Sequence, residues 1–157
     1  MPVRIHKPTS PGRRKSSVQS FDVLTKSEPE KSLIFFKRRS GGRNNQGKIT
    51  VRHRGGGARR YVRIVDFRRT RYDEVATIAA IEYDPNRSAH LALITYPDAT
   101  KAYIIAPDGL KVGDTISSSL QQIAIATGNR MPLLHIPPGV RVHSVEFRPS
   151  EGGKMAR

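Results

Sequence analysis

Positive charge is crowded into one end of this chain, and that limits what the end can fold into. Residues 1–71 carry 20 Lys and Arg against 4 Asp and Glu, a balance of +16, whereas residues 72–157 carry 8 against 9, a balance of −1. A segment this basic repels itself and holds too few apolar side chains to offset its ordering entropy. It is expected to take shape on a partner of opposite sign, so the excess reads as a polyanion-binding arm on a body of ordinary charge. Solubility alone is a weaker reason for it, because added acid serves solubility better than added base.

The pattern divides the chain in three. Residues 1–58 show no sustained helical or strand period, and Pro8, Pro11 and Gly12 break both kinds of structure. This arm is expected to be disordered when free. Residues 59–119 instead alternate β-branched and aromatic runs with turn chemistry. Strands are expected at 61–69, 75–83, 90–96, 102–107 and 113–119, with turns at 84–88, 97–100 and 107–114. In the first run Tyr61, Arg63, Val65 and Phe67 fall on one face, and Val62, Ile64, Asp66 and Arg68 on the other. Several short strands with no long helical pattern predict a mostly β protein, a small antiparallel barrel or sandwich. Residues 120–157 read as a second unit that stays incomplete: a linker or short helical turn over 120–129, then one or two strands around Pro137-Pro138-Gly139. Residues 140–147 alternate and predict a strand that needs sheet partners. There is no internal repeat.

Enzymatic readings fare poorly. The stretch from Gly42 to Thr50 nearly spells a phosphate-binding loop, but Ile49 follows Lys48 where a magnesium-ligating hydroxyl is required, and a β-branched run follows where a helix should open. Cysteine is absent, which removes disulfides, thiolate metal sites and a thiol nucleophile. His6, His53, His90, His135 and His143 include no pair at the spacing of a helical zinc site. His90, His135 and His143 are expected as ordinary strand residues, and His53 as a contact to phosphate or base. No catalytic residue, metal or cofactor is expected. No segment approaches the ~20 apolar residues of a membrane helix, and the N-terminus lacks the apolar core of a secretory signal.

A nucleic-acid partner fits the basic clusters better. These are Arg13-Arg14-Lys15, Lys37-Arg38-Arg39, the stretch from Arg43 to Arg60, and Arg63, Arg68, Arg69 and Arg71. Within the third, the expected RNA-binding residues are Arg43, Asn44, Asn45, Lys48, Arg52, His53, Arg54, Gly55, Gly56, Gly57, Arg59 and Arg60. Arg87, in the turn after the second strand, joins them. Arginine grips phosphate with two parallel N–H donors and stacks on bases, which suits folded RNA. Glycine lets the backbone approach phosphates closely, and asparagine can read base edges or 2′-hydroxyls. Aromatic residues are few in the arm, so base stacking is not expected as the main mode.

Seven stretches carry a family resemblance: KPTSPGRR, SGGRNNQGKITVRHRGGG, RIVDFRR, EYDPNRSA, YIIAPDGLKVGD, IPPGVRVHSVE and GGKMAR. In this order they resemble the N-terminal part of the bacterial-type L-two family of large-subunit ribosomal proteins. The resemblance implies a basic arm (1–58), a five-stranded OB-fold barrel (59–119) and the start of an SH3-like barrel (120–157). It implies binding to large-subunit (23S-type) rRNA near the peptidyl-transferase region, support of subunit assembly and association in translation, neighbouring ribosomal proteins as partners, and no membrane. The setting would be a ribosome of the bacterial cytoplasm, a mitochondrion or a plastid. A factor with an OB-type fold that binds RNA outside the ribosome is the alternative. Family members continue past GGKMAR to complete the second barrel and add a basic tail. The expectation is therefore either one half of a split protein, with a second chain pairing along 140–147, or a truncated form.

Overall fold

The computed structural model describes residues 3–156. Its strands are short and run in chain order as β1 (Val3–Ile5), β2 (Ser17–Gln19), β3 (Ile34–Phe36), β4 (Tyr61–Arg63), β5 (Val75–Glu82), β6 (Leu91–Thr95), β7 (Lys101–Ile105) and β8 (Thr115–Ser117). Among the described residues only two single-turn 3₁₀ segments, Lys31–Leu33 and Leu133–His135, are helical. The mostly β class expected from the sequence is what the structure has, and every strand pairing is antiparallel.

The body is a four-stranded sheet in the order β7-β6-β5-β8. Each of its faces carries a buried apolar cluster because β5 changes face partway, although Val75, Thr77 and Ala79 stay exposed. Ile78 pairs with Ile94, but Ala80 pairs with Leu93, so a bulge between Ile78 and Ala80 turns the later even-numbered side chains to the opposite side. Ala76, Ile78, Ala92, Ile94, Tyr96, Ile104, Leu110 and Ile116 form one apolar cluster. Ala80, Leu91, Leu93 and Tyr103 form the second, covered by Leu33, Val65 and Ile105.

The first expected strand is shorter than its alternation predicts. Only Tyr61–Arg63 is ladder-paired, to β3, and Val65 makes a single bridge to Tyr103 of the main sheet. Asp66 ends the run: its Oδ1 accepts from the backbone N–H of Arg68 at 3.0 Å and of Arg69 at 2.8 Å. That local turn competes with the ladder and leaves Arg69 at a φ of 47°.

Parts of the arm are structured against the expectation. Strands β1 and β2 form a hairpin, and β3 pairs with β4. The segment between them lies on the body. Thr25 N–H donates to Ile81 O at 3.0 Å, Thr25 Oγ1 accepts from Ile81 N–H at 2.9 Å, and Lys26 bridges Glu82. The stretch therefore orders on apolar and ladder groups supplied by the sheet rather than by its own side chains.

Two further expectations fail. Residues 140–147 are not a strand; within them only Val145 makes a bridge, to Met155 of the same chain. Ser144 and Val145 donate backbone N–H groups to Ala156 and Met155, so the segment folds onto its own continuation. His90, His135 and His143 also lie outside strands: His90 just precedes β6, His135 sits in a 3₁₀ turn, and His143 is in irregular chain.

Candidate nucleic-acid interface

Between β3 and β4 the chain makes one long excursion, residues 37–60, with nine Lys and Arg and no acidic residue. Its two ends are fixed side by side, because Phe36 pairs with Tyr61. The basic stretch is thus a closed loop standing on a two-stranded ribbon, not a free tail.

Local backbone chemistry shapes the loop. Arg43 and Ile49 form an antiparallel bridge, closed by Asn44 N–H to Lys48 O at 2.9 Å. Inside the turn Asn44 Oδ1 accepts from Gln46 N–H at 3.0 Å and Lys48 N–H at 2.9 Å. Asn44, expected to read bases, therefore spends its oxygen on the turn, and Arg43 bonds Gly47 O at 3.0 Å. The near phosphate-binding loop is this hairpin, and no helix follows it. Gly42 has a φ of 74°, and a Cβ there would sit 2.2 Å from Val51 O. Its carbonyl accepts from Thr50 N–H, Val51 N–H and Thr50 Oγ1, so the chain crosses itself where only glycine fits.

Loop and ribbon enclose a groove of about 700 Å³. Lys37, Arg38, Arg39, Arg54 and Arg60 line it, with Gly41, Gly42, Gly55, Val62 and Asn86. Arg39 reaches Gly56 O at 3.3 Å and Arg60 reaches Pro85 O at 3.2 Å, which holds the walls without neutralising either cation. Arg52, His53 and Arg59 are exposed on the same loop, as are Asn45 and Lys48. Arg13, Arg14 and Lys15 are exposed on the β1–β2 hairpin, whose Gln19 contacts His90 at 3.1 Å.

Other expected contacts are directed elsewhere. The Arg69 guanidinium points inward, donating to Gly128 O at 2.7 Å and Ser117 O at 3.4 Å, and burial lowers its pKa below the ordinary arginine value. Arg87 is half-buried: its Nε donates to the fully buried Asp84 at 2.7 Å and its guanidinium lies 5.6 Å from the Phe67 ring. Arg63 donates to Tyr61 O at 2.9 Å. Arg71 bonds Asp98 at 2.8 Å over the Tyr96 ring; the Thr100 donors and then Arg71 hold Asp98 down to about 2. Arg68 remains exposed.

The segment leading into β3 is pinned to the main sheet by a polar cluster, centred on buried Tyr103 and Glu82, that sequence reasoning missed. Tyr103, wholly buried, donates its hydroxyl to Glu82 Oε2 at 2.5 Å and accepts from Glu30 N–H at 2.7 Å. Lys26 lies 3.6 Å from Glu82, and Lys101 lies 2.8 Å from Glu30. Burial, then the bond to Glu82, raises the Tyr103 pKa above the usual phenol range, and the bond from Lys101 lowers that of Glu30. Also missed was the exposed pair Phe36 and Tyr61, brought to 6.0 Å by strand register. The signal lay in the mirrored stretches FFKRR and RRYVR, an aromatic residue beside a basic pair on both strands.

No group of three metal-ligating side chains occurs among the described residues, and no helix among them is long and apolar enough to cross a membrane. Residues 30–118, which contain the loop, the main sheet and all of the polar cluster except Lys26, match the model of the family described as "Ribosomal Proteins L2, RNA binding N-terminal domain".

Proposed function

The chain belongs to the ribosomal L2 family by its match over residues 30–118, and from that premise we propose that it is a non-catalytic structural constituent of the large ribosomal subunit that binds large-subunit rRNA. One observation carries the reading: a loop with nine cations and no acid is held at both ends by β3 and β4, around a groove lined by five of those cations. Such a surface suits phosphate neutralisation and shape fitting, with no group arranged for turnover. The exposed cations of the expected set, Arg13, Arg14, Lys15, Arg38, Arg39, Arg43, Lys48, Arg52, Arg54, Arg59, Arg60 and Arg68, contact phosphates in this proposal, and Asn45 and His53 contact sugar or base edges.

The finer parts rest on the resemblance. They are a bacterial-type ribosome, a site near the peptidyl-transferase region, a role in subunit assembly and association, an OB-type barrel over 59–119 and the start of an SH3-like unit over 120–157. A neighbouring polypeptide in the ribosome would cover Leu134, Val142 and Phe147, which are exposed apolar residues.

Salt tests the central claim. If the loop and hairpin neutralise about six to ten phosphates, affinity for rRNA falls by roughly 10³–10⁵ between 50 and 200 mM salt. The protein should also co-sediment with large subunits after a high-salt wash. A flat salt response would overturn the phosphate reading, and loss on washing with RNA affinity retained would favour a factor acting outside the ribosome.

A further inference from the structure

The two-stranded ribbon beneath the loop has two unlike faces. Pairing of Phe36 with Tyr61 and of Ile34 with Arg63 puts these four residues on one face, with Phe35 and Val62 on the other. The groove uses Val62 and Arg60 of the second face. The first face carries Phe36, 50% exposed, and Tyr61, 38% exposed, with ring centroids 6.0 Å apart and planes inclined by 63°. Arg59 lies 5.4 Å from the centroid of Phe36.

We propose that Phe36 and Tyr61 form a stacking platform for a single unpaired RNA base, whose flanking phosphates are held by the basic loop. The proposal rests on the RNA-binding reading and adds a base-level subsite to it. An exposed aromatic pair could meet an apolar protein surface instead. Charge decides against that here, because Arg59 and Arg60 precede Tyr61 and Lys37 follows Phe36, so any occupant must tolerate cations on both strands. A nucleotide does: its base offers a π-face to the rings and the guanidinium, and its phosphates offer anions to the flanking side chains. The platform is narrow. Two rings inclined at 63° cannot both lie flat against one base, so a base stacks on one ring and meets the edge of the other, and the site takes one looped-out or bulged nucleotide, not a run of single strand. Paired bases inside a duplex cannot reach it, which makes the site a sensor of local RNA shape.

The test compares two RNA hairpins, one perfectly paired and one with a single bulged adenosine, bound by the full chain. The wild type is expected to prefer the bulged hairpin and to quench a fluorescent purine placed at the bulge. Phe36→Leu and Tyr61→Leu should lose about 5- to 150-fold in affinity for the bulged hairpin, with the paired hairpin and its salt slope unchanged. Phe36→Trp, which keeps the π-face, should retain the preference and guards against misreading a folding defect in the leucine variants. Equal wild-type affinity for both hairpins would overturn the platform while leaving phosphate binding intact. Equal loss on both hairpins in the leucine variants, or loss of the preference in Phe36→Trp, would also count against it. Failure of the wild type to bind either hairpin would defeat the RNA-binding reading and the platform with it.

Discussion

At the scale of single residues, identity and placement part company among the arginines. Their clustering showed in the sequence, but their directions did not. Arg52 and Arg54 stand exposed on the loop, whereas Arg69, in an equally basic run, is drawn inward by the carbonyls of Ser117 and Gly128. The difference comes from acceptors far along the chain, which local composition does not reveal. Arg52→Ala with Arg54→Ala should weaken rRNA binding and lower the slope of log affinity against log salt by about 1 for each phosphate left without its arginine. Thermal unfolding should stay within about 0.5 kcal/mol of the parent; unfolding curves and salt titrations read the two separately. Arg69→Ala should do the reverse, destabilising the body with affinity per folded molecule retained. His90 gives a pH dependence. Gln19 donates to its Nε2, Nδ1 is buried without a hydrogen-bond partner, and burial lowers its pKa. A histidine lowered on folding binds fewer protons folded than unfolded, so stability falls as pH drops through the ordinary value of about 6.5 toward the folded one. Denaturant midpoints should show that fall, and His90→Gln should reduce it, the remainder coming from His143, whose pKa burial and then Arg69 also lower.

Elements were legible where their pairing is local. Strands β5 to β8 form a sheet from runs that alternate or are wholly apolar, and their bounds fall within a few residues of the expected ones. The bulge in β5 was not legible, because Ala79 and Ala80 carry no mark of a change of face. Residues 140–147 show why alternation alone misleads: the period suits a strand, but backbone donors at Ser144 and Val145 go to Met155 and Ala156. The segment over 25–36 errs in the other direction, since its order comes from partners on β5 and β7 for Thr25, Lys26 and Glu30 and on β4 for residues 34–36. Tyr103→Phe probes that attachment. It removes the donor to Glu82 and the acceptor for Glu30 N–H, leaving a buried carboxylate with Lys26 as its remaining ion-pair partner. Such a loss costs about 1–3 kcal/mol. Amide exchange should rise over residues 25–36, and RNA affinity should fall without any change of net charge, because the loop loses a fixed base.

At the scale of the whole molecule, charge asymmetry was the most legible feature and the end of the basic arm the least. Absence of a strand or helical period set the division after residue 58, yet Leu33 packs on the second core cluster and Thr25 joins the edge of β5. Basic composition and independence from the body are different properties. Limited trypsin treatment separates them. Cleavage should come first within residues 37–60, which are exposed and rich in Lys and Arg, with the fragment ending near Phe36 still bound to the remainder. Bound rRNA should suppress those cuts. Release of residues 25–36 on the first cut would show that the docked segment contributes little.

The pairing of Phe36 with Tyr61 also bears on modularity. The chain leaves the body and returns to it at neighbouring positions, so the loop behaves as a cassette whose removal need not change the path of anything else. Joining the two strands through a tight Asn-Gly turn would give an ordinary hairpin and a body without its principal cationic surface. The same doorway would accept a loop of different length or sequence, so what this ribbon recognises could be rewritten while the sheet that carries it stays as it is.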